Sequence, residues 1–192
     1  MRQLVIRATI VSTIIAAGLA VGTPAKAQSV VEQRLQNAYT GNGTFYIGIP
    51  GGPNGQGFVT ANANLVVWQS SQKDQDWFLP TSNQGGIADY YADTAGQQVC
   101  LTATSFAEGA AIQDQACDNN NPTELQFWEM IPSSKVGLGS TYPNCVILWN
   151  PYSSQAIGVS GGNNSVRNGG SVIQWNYDGT ANQFWCPVLA LR

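Results

Sequence analysis

Gln-x-Trp occurs three times in this chain, as Gln75-Asp76-Trp77, Gln126-Phe127-Trp128 and Gln183-Phe184-Trp185. The tryptophans are 51 and then 57 residues apart. A period near fifty marks a structural unit repeated in tandem. A second landmark has the same spacing. The short apolar runs that begin at Tyr46, Cys100 and Ala156 precede the three tryptophans by 31, 28 and 29 residues. Chance matches in a chain rich in Gln, Asn and Trp do not predict two landmarks held at one separation three times.

Units of this size cannot each bury a core alone, so the three must share one. Trp77, Trp128 and Trp185 are its natural members, because an indole is large and apolar with a single donor to satisfy. Turn formers break the chain every few residues, as at Gly51-Gly52-Pro53-Asn54-Gly55, Asn119-Asn120-Asn121-Pro122, Gly161-Gly162-Asn163-Asn164 and Asp178-Gly179. Between them lie short β-branched and aromatic runs, such as Leu65 to Trp68, Val99 to Thr102, Val146 to Trp149 and Val172 to Trp175. Many short strands with frequent turns predict an all-β barrel or sandwich. One short helix is expected, over Gln28 to Tyr39, with Val30, Val31 and Leu35 on one face.

Residues 1–27 read as a secretory signal peptide. Arg2 and Arg7 precede an apolar run from Ala8 to Val21, and Ala25-Lys26-Ala27 is a small-x-small cleavage site. The run is short for a membrane span, so a secreted protein is expected. After cleavage, eleven acidic residues face five basic ones (Arg34, Lys73, Lys135, Arg167 and Arg192), a net charge near −6. No basic stripe is present, which argues against nucleic acid or an anionic membrane as partner.

Four cysteines in an exported chain imply two disulfides. Cys100 and Cys117 belong to the second unit, and both are missing together from the matching positions of the others. They are therefore paired with each other, leaving Cys145 with Cys186. Zinc is the rival use of such cysteines, but the chain has no histidine and no Cys-x-x-Cys. No metal and no cofactor are expected.

The second unit reads Val99-Cys100-Leu101, Gly109-Ala110-Ala111-Ile112-Gln113, Cys117 and Gln126-Phe127-Trp128. The third carries Gly170-Ser171-Val172-Ile173-Gln174-Trp175 and Asn182-Gln183-Phe184-Trp185. This pattern resembles the ricin-type lectin domain over about Gly43 to Val188. The resemblance implies a β-trefoil: three four-stranded units about a pseudo-threefold axis, forming a six-stranded barrel closed by a hairpin cap. The boundaries expected are a signal peptide at 1–27, an N-terminal strap at 28–42 and the trefoil at 43–192, with repeats at about 43–82, 83–132 and 140–188.

In that family each repeat can hold one shallow sugar site. An aromatic ring stacks on the apolar face of a pyranose, an Asp early in the repeat accepts from two hydroxyls, and an amide near its end completes the fork. By this resemblance, repeat three supplies Trp175 as the stacking ring with Asn182 and Gln183 as the amide pair. Repeat one supplies Trp68 with Asp74 and Gln75. In repeat two the aromatic position falls near Gln115. The aspartate positions are Gly48, Thr102 and Gly158, so no repeat keeps the whole set, and weak binding is expected. Repeat three is the first candidate, repeat one the second and repeat two a structural unit. Trp149 and Tyr90-Tyr91 are further exposed-aromatic candidates.

Catalysis is not expected. Without histidine neither a Ser–His–Asp triad nor a Cys–His pair can form, and Gly-x-Ser-x-Gly is absent. The carboxylate pairs Asp74/Asp76, Asp89/Asp93 and Asp114/Asp118 could be nominated for a glycosidase, but read better as turns and strand edges. Asn42-Gly43-Thr44 and Asn163-Asn164-Ser165 match the N-glycosylation pattern. The expected function is weak, multivalent binding of glycans or polysaccharide. The alternative is a trefoil that binds a protein partner, as a protease inhibitor or the targeting subunit of a toxin, with degenerate sugar sites.

Overall fold

The structure is a computed structural model that describes residues 32–41, 43–50, 59–69, 75–80, 84–92, 95–118 and 123–190, the side chains of 89–92 excepted. The signal peptide expected at 1–27 lies outside the described residues, as does Asp74. Among the described residues no helix is long and apolar enough to cross a membrane.

The described residues contain thirteen strands: β1 (Glu32–Asn37), β2 (Tyr46–Gly48), β3 (Val66–Trp68), β4 (Trp77–Phe78), β5 (Gln84–Gly85), β6 (Ala88–Ala92), β7 (Gln98–Ala103), β8 (Ile112–Ala116), β9 (Trp128–Pro132), β10 (Val146–Asn150), β11 (Gln155–Val159), β12 (Gly170–Trp175) and β13 (Trp185–Leu189). Antiparallel pairing closes a ring: β1 with β4, β4 with β6, β5 with β9, β9 with β10, β10 with β13, and β13 back to β1. β5 and β6 form one side of this ring in two short steps, so it is a six-sided barrel.

The remaining strands form three hairpins, β2–β3, β7–β8 and β11–β12. These meet one another through Val67↔Gly170 and Val66↔Ser171, Asn64↔Gln113, and Ala111↔Ile173, so each pair of units is joined. The result is the expected β-trefoil, a barrel capped by a triangle of hairpins. The hairpin registers match across units: Tyr46 lies opposite Trp68, Cys100 opposite Gln115 and Ala156 opposite Trp175.

Trp77, Trp128 and Trp185 are fully buried in one core cluster. Each begins the closing strand of its unit, and each turns its indole N–H back on the strand that opens the unit's hairpin. Trp77 Nε1 donates to Ile47 O at 3.2 Å, Trp128 Nε1 to Leu101 O at 2.9 Å and Trp185 Nε1 to Ile157 O at 2.9 Å. The indole therefore occupies apolar space while its one polar atom is satisfied. The bond spans 30, 27 and 28 residues in the three units, which matches the separation of apolar run and tryptophan in the sequence.

The two disulfides form as expected, Cys100–Cys117 within the second unit and Cys145–Cys186 across the third. The helix expected over 28–39 is not found in the described part of that stretch. Residues 32–37 are strand β1, with Leu35 and Asn37 buried and their neighbours partly exposed. The barrel needs a strand between β13 and β4, and β1 fills that gap, hydrogen-bonded to both. The first unit thus draws its opening strand from the stretch expected to be a strap. Pairing with distant strands overrides the weak local spacing of Val30, Val31 and Leu35.

Candidate functional site

The Gln-x-Trp glutamines act inside each unit. Gln183 Oε1 accepts from Asp178 N at 2.9 Å, and its Nε2 donates to Asn176 O at 2.8 Å. Gln126 does the same one unit earlier: its Oε1 accepts from Asp118 N at 3.0 Å, and its Nε2 donates to Ala116 O at 2.8 Å and to Thr102 Oγ1 at 3.0 Å. Gln75 Nε2 donates to Trp68 O at 3.0 Å. All three are buried. This corrects the expectation that Gln75 and Gln183 face a sugar: Gln126 and Gln183 clamp the loop that follows the hairpin and Gln75 holds the end of β3, because a buried amide must be hydrogen-bonded.

The aspartate positions are interior too. Thr102 is buried, with Oγ1 donating to Cys100 O at 3.0 Å, and Gly48 and Gly158 are buried. A Cβ on Gly158 would stand 2.9 Å from Gln183 Cγ and 3.3 Å from Asn182 Nδ2. A side chain at position 158 would therefore have to displace Gln183 or Asn182. Gly158→Asp is expected to destabilise the fold by about 1–3 kcal/mol through overpacking and to create no new binding, as thermal unfolding and a binding assay would show.

What remains open in repeat three is a cleft of about 340 Å³, lined by Gly158 to Gly162, Ile173, Trp175, Asp178 and Asn182. Trp175 ends β12 and is 44% exposed. It stands over Gly109 of the neighbouring unit: a Cβ there would lie 3.4 Å from Trp175 Cζ3, and Gly109 has φ of +83°. Both constraints suit glycine. Asn176 Nδ2 donates to Glu108 Oε1 at 2.9 Å, tying the same two units beside the ring.

Asn182 lines the cleft but is buried and largely committed. Its Nδ2 donates to Val159 O at 3.2 Å, its backbone N–H donates to Asn163 Oδ1 at 2.9 Å, and its Oδ1 shares the single hydroxyl proton of Thr180 with Asp178. The sequence reading missed Asp178, an exposed carboxylate that the structure places in the lining. Its Oδ1 accepts from Thr180 N at 2.9 Å and from Thr180 Oγ1, which holds the side chain in place. A signal for it existed. Asp follows the aromatic position by three residues in both later repeats, as Asp118 after Gln115 and Asp178 after Trp175. Tyr177 next to it packs on Phe184 with ring centroids 6.0 Å apart. Burial, then the charge of Asp178, then Tyr142, raise the phenol above its ordinary value.

In repeat one, Trp68 is 43% exposed and lies beside Gly169, whose Cβ would come within 3.9 Å of its ring. It is the register equivalent of Trp175, and each ring sits beside a hairpin glycine of another unit. Trp149 is partly buried against the cluster of Cys145, Ile147, Ala156 and Phe184. The side chains of Tyr90 and Tyr91 lie outside the described residues.

Of the carboxylate pairs, Asp76 is buried with Oδ1 on Arg34 Nε at 2.8 Å, and Asp114 is buried with Oδ1 accepting from Ala63 N at 2.6 Å. Both hold the fold. Asp74 and Asp93, and the side chain of Asp89, lie outside the described residues.

No protein-family model matches the chain, and no curated protein does either. Its β-trefoil fold is shared by several solved structures. A designed threefold-symmetric protein, ThreeFoil, superposes with a TM-score of 0.63 at 19% identity, over 82% of this chain and 97% of that one. The C-terminal half of an earthworm R-type lectin, solved in complex with GalNAc, gives 0.55 at 14% identity, over 83% and 98%. An exo-β-1,3-galactanase from Clostridium thermocellum gives 0.61 at 18% identity, over 83% of this chain but only 30% of the enzyme. The protein is a β-trefoil; at these identities the likeness defines the fold alone.

Proposed function

We propose that this protein is an exported carbohydrate-binding protein whose first site is the repeat-three cleft. The observation that carries the reading is Trp175: a half-exposed indole on the wall of a cleft that also holds an anchored carboxylate, Asp178, and the edge of Asn182. An aromatic face takes the C–H side of a pyranose. An ionised acceptor beside it makes the stronger hydrogen bonds to hydroxyls. Asp178 takes over the part of the acidic acceptor that Gly158 cannot play.

Trp68 offers a second ring at the equivalent place in repeat one. Two shallow sites on one rigid body bind a polymer more tightly than either does alone. Two disulfides suit an oxidising compartment, which supports export. The GalNAc in the earthworm lectin's complex makes galactose-type sugars the first to try. No catalytic role is proposed.

A glycan array with polysaccharide pull-down tests the proposal. The intact protein is expected to be retained, and Trp175→Ala to lose most of that retention while changing stability by less than about 1 kcal/mol, as suits a substitution at an exposed ring. Retention unchanged in Trp175→Ala removes this site. Co-purification of a stoichiometric protein that free sugar does not displace favours the protein-binding alternative.

A further inference from the structure

Repeat two, expected to be structural, carries a cleft of its own. It encloses about 580 Å³ and is lined by Phe106, Phe127, Tyr152, Asp118 and Glu124, with Thr123 and Leu125 between them. Phe106 is 44% exposed and Tyr152 54%. Phe127 is half-buried and meets Tyr152 nearly at right angles, 86° between ring planes with centroids 6.0 Å apart, so the two rings form a corner. Among the described lining residues two are acidic and none is basic.

Two buried amides build this cleft. Asn150 Oδ1 accepts from the backbone of Tyr152 and Ser153 at 2.9 and 3.0 Å, while its Nδ2 donates to Glu124 O at 2.8 Å. Gln174 Nε2 donates to Ser105 O and Ala107 O at 2.6 and 3.2 Å, on either side of Phe106, and its Oε1 accepts from Ser153 Oγ at 3.0 Å. The loops bearing Phe106, Glu124 and Tyr152 are thus cross-tied through the interior. Exposed rings held this way lose little freedom when a ligand arrives.

We propose that this cleft binds a quaternary ammonium group. Aromatic faces attract a cation through the ring quadrupole, and a methylated ammonium gains most because its shell is apolar and weakly hydrated. Asp118 and Glu124 add complementary charge at the rim. A hydroxyl-rich sugar suits the cleft less well than it suits repeat three, because the walls here are three rings and no indole. The proposal stands independently of the sugar reading.

Choline is the probe, titrated by calorimetry and by the aromatic NMR resonances of Phe and Tyr, against ethanolamine and against 3,3-dimethylbutan-1-ol, the uncharged isostere. Choline is expected to bind more tightly than both. Tyr152→Ala is expected to weaken choline by about two- to fivefold or more, the worth of an exposed cation–π contact. Glu124→Gln, an exposed change that leaves the fold intact, is expected to weaken it by about twofold and to reduce its salt dependence. Trp175→Ala should leave choline binding unchanged. Absence of choline binding overturns the proposal, and so does equal binding of the uncharged isostere, which would show only an apolar groove. Tighter binding of ethanolamine than of choline would overturn the part assigned to the rings.

Discussion

Trp128→Ala is expected to lower the unfolding free energy by about 3–5 kcal/mol, the range for deleting a large aromatic from a packed core. The indole is fully buried in the shared cluster. A small domain has only about 5–15 kcal/mol in total, so the variant stands near the edge of folding. Trp77→Ala and Trp185→Ala are expected to behave alike, since each ring holds the same place and the same carbonyl bond. Trp128→Phe separates two contributions. It keeps most of the apolar volume but leaves Leu101 O without its donor, for about 1–3 kcal/mol. Urea unfolding followed by circular dichroism measures all four. A loss under 1 kcal/mol in the alanine variants would mean that the units do not depend on a common centre.

The second large effect belongs to the disulfides. Cys145–Cys186 spans 41 residues and Cys100–Cys117 spans 17. Chain-entropy scaling puts their contributions at about 4 and about 3 kcal/mol. Cys145→Ser with Cys186→Ser should therefore cost more than Cys100→Ser with Cys117→Ser, and removing both bridges should bring the chain close to unfolding. The longer bridge ties the start of β10 to β13 next to the Val146↔Trp185 pairing, so it also holds a seam of the barrel. Denaturation of the two double-serine variants, and of the reduced parent, gives the ordering. A smaller loss for the longer loop would show that native contacts, and not the entropy of the unfolded chain, set the effect.

The fold could be read from the chain because its most informative residues are constrained by one repeated contact. An indole that must reach a carbonyl on the strand about thirty residues earlier leaves a period in the sequence. The cysteine pairing followed from the same alignment of units, and Trp175 could be picked out because polar neighbours flank it. β1 could not be read, because the partners that make Glu32–Asn37 a strand are β13 and β4, far along the chain. Gln75 and Gln183 look like surface amides. Their burial depends on backbone groups of loops that sequence alone does not bring near. Asp178 was within reach through its twin Asp118, but a carboxylate after an aromatic in a turn-rich stretch also reads as a solvated turn. The repeat-two cleft could not be foreseen, since Phe106, Phe127 and Tyr152 come together only through Asn150 and Gln174.

The most direct test follows the six indole N–H resonances during titration with a glycan that the intact protein retains. Trp175 is expected to move, with Trp68 moving too if the glycan is long enough to reach repeat one, while Trp77, Trp128 and Trp185 stay where they are behind their carbonyl bonds. Movement of the three buried indoles with Trp175 unmoved would contradict a core role for those three and a binding role for Trp175.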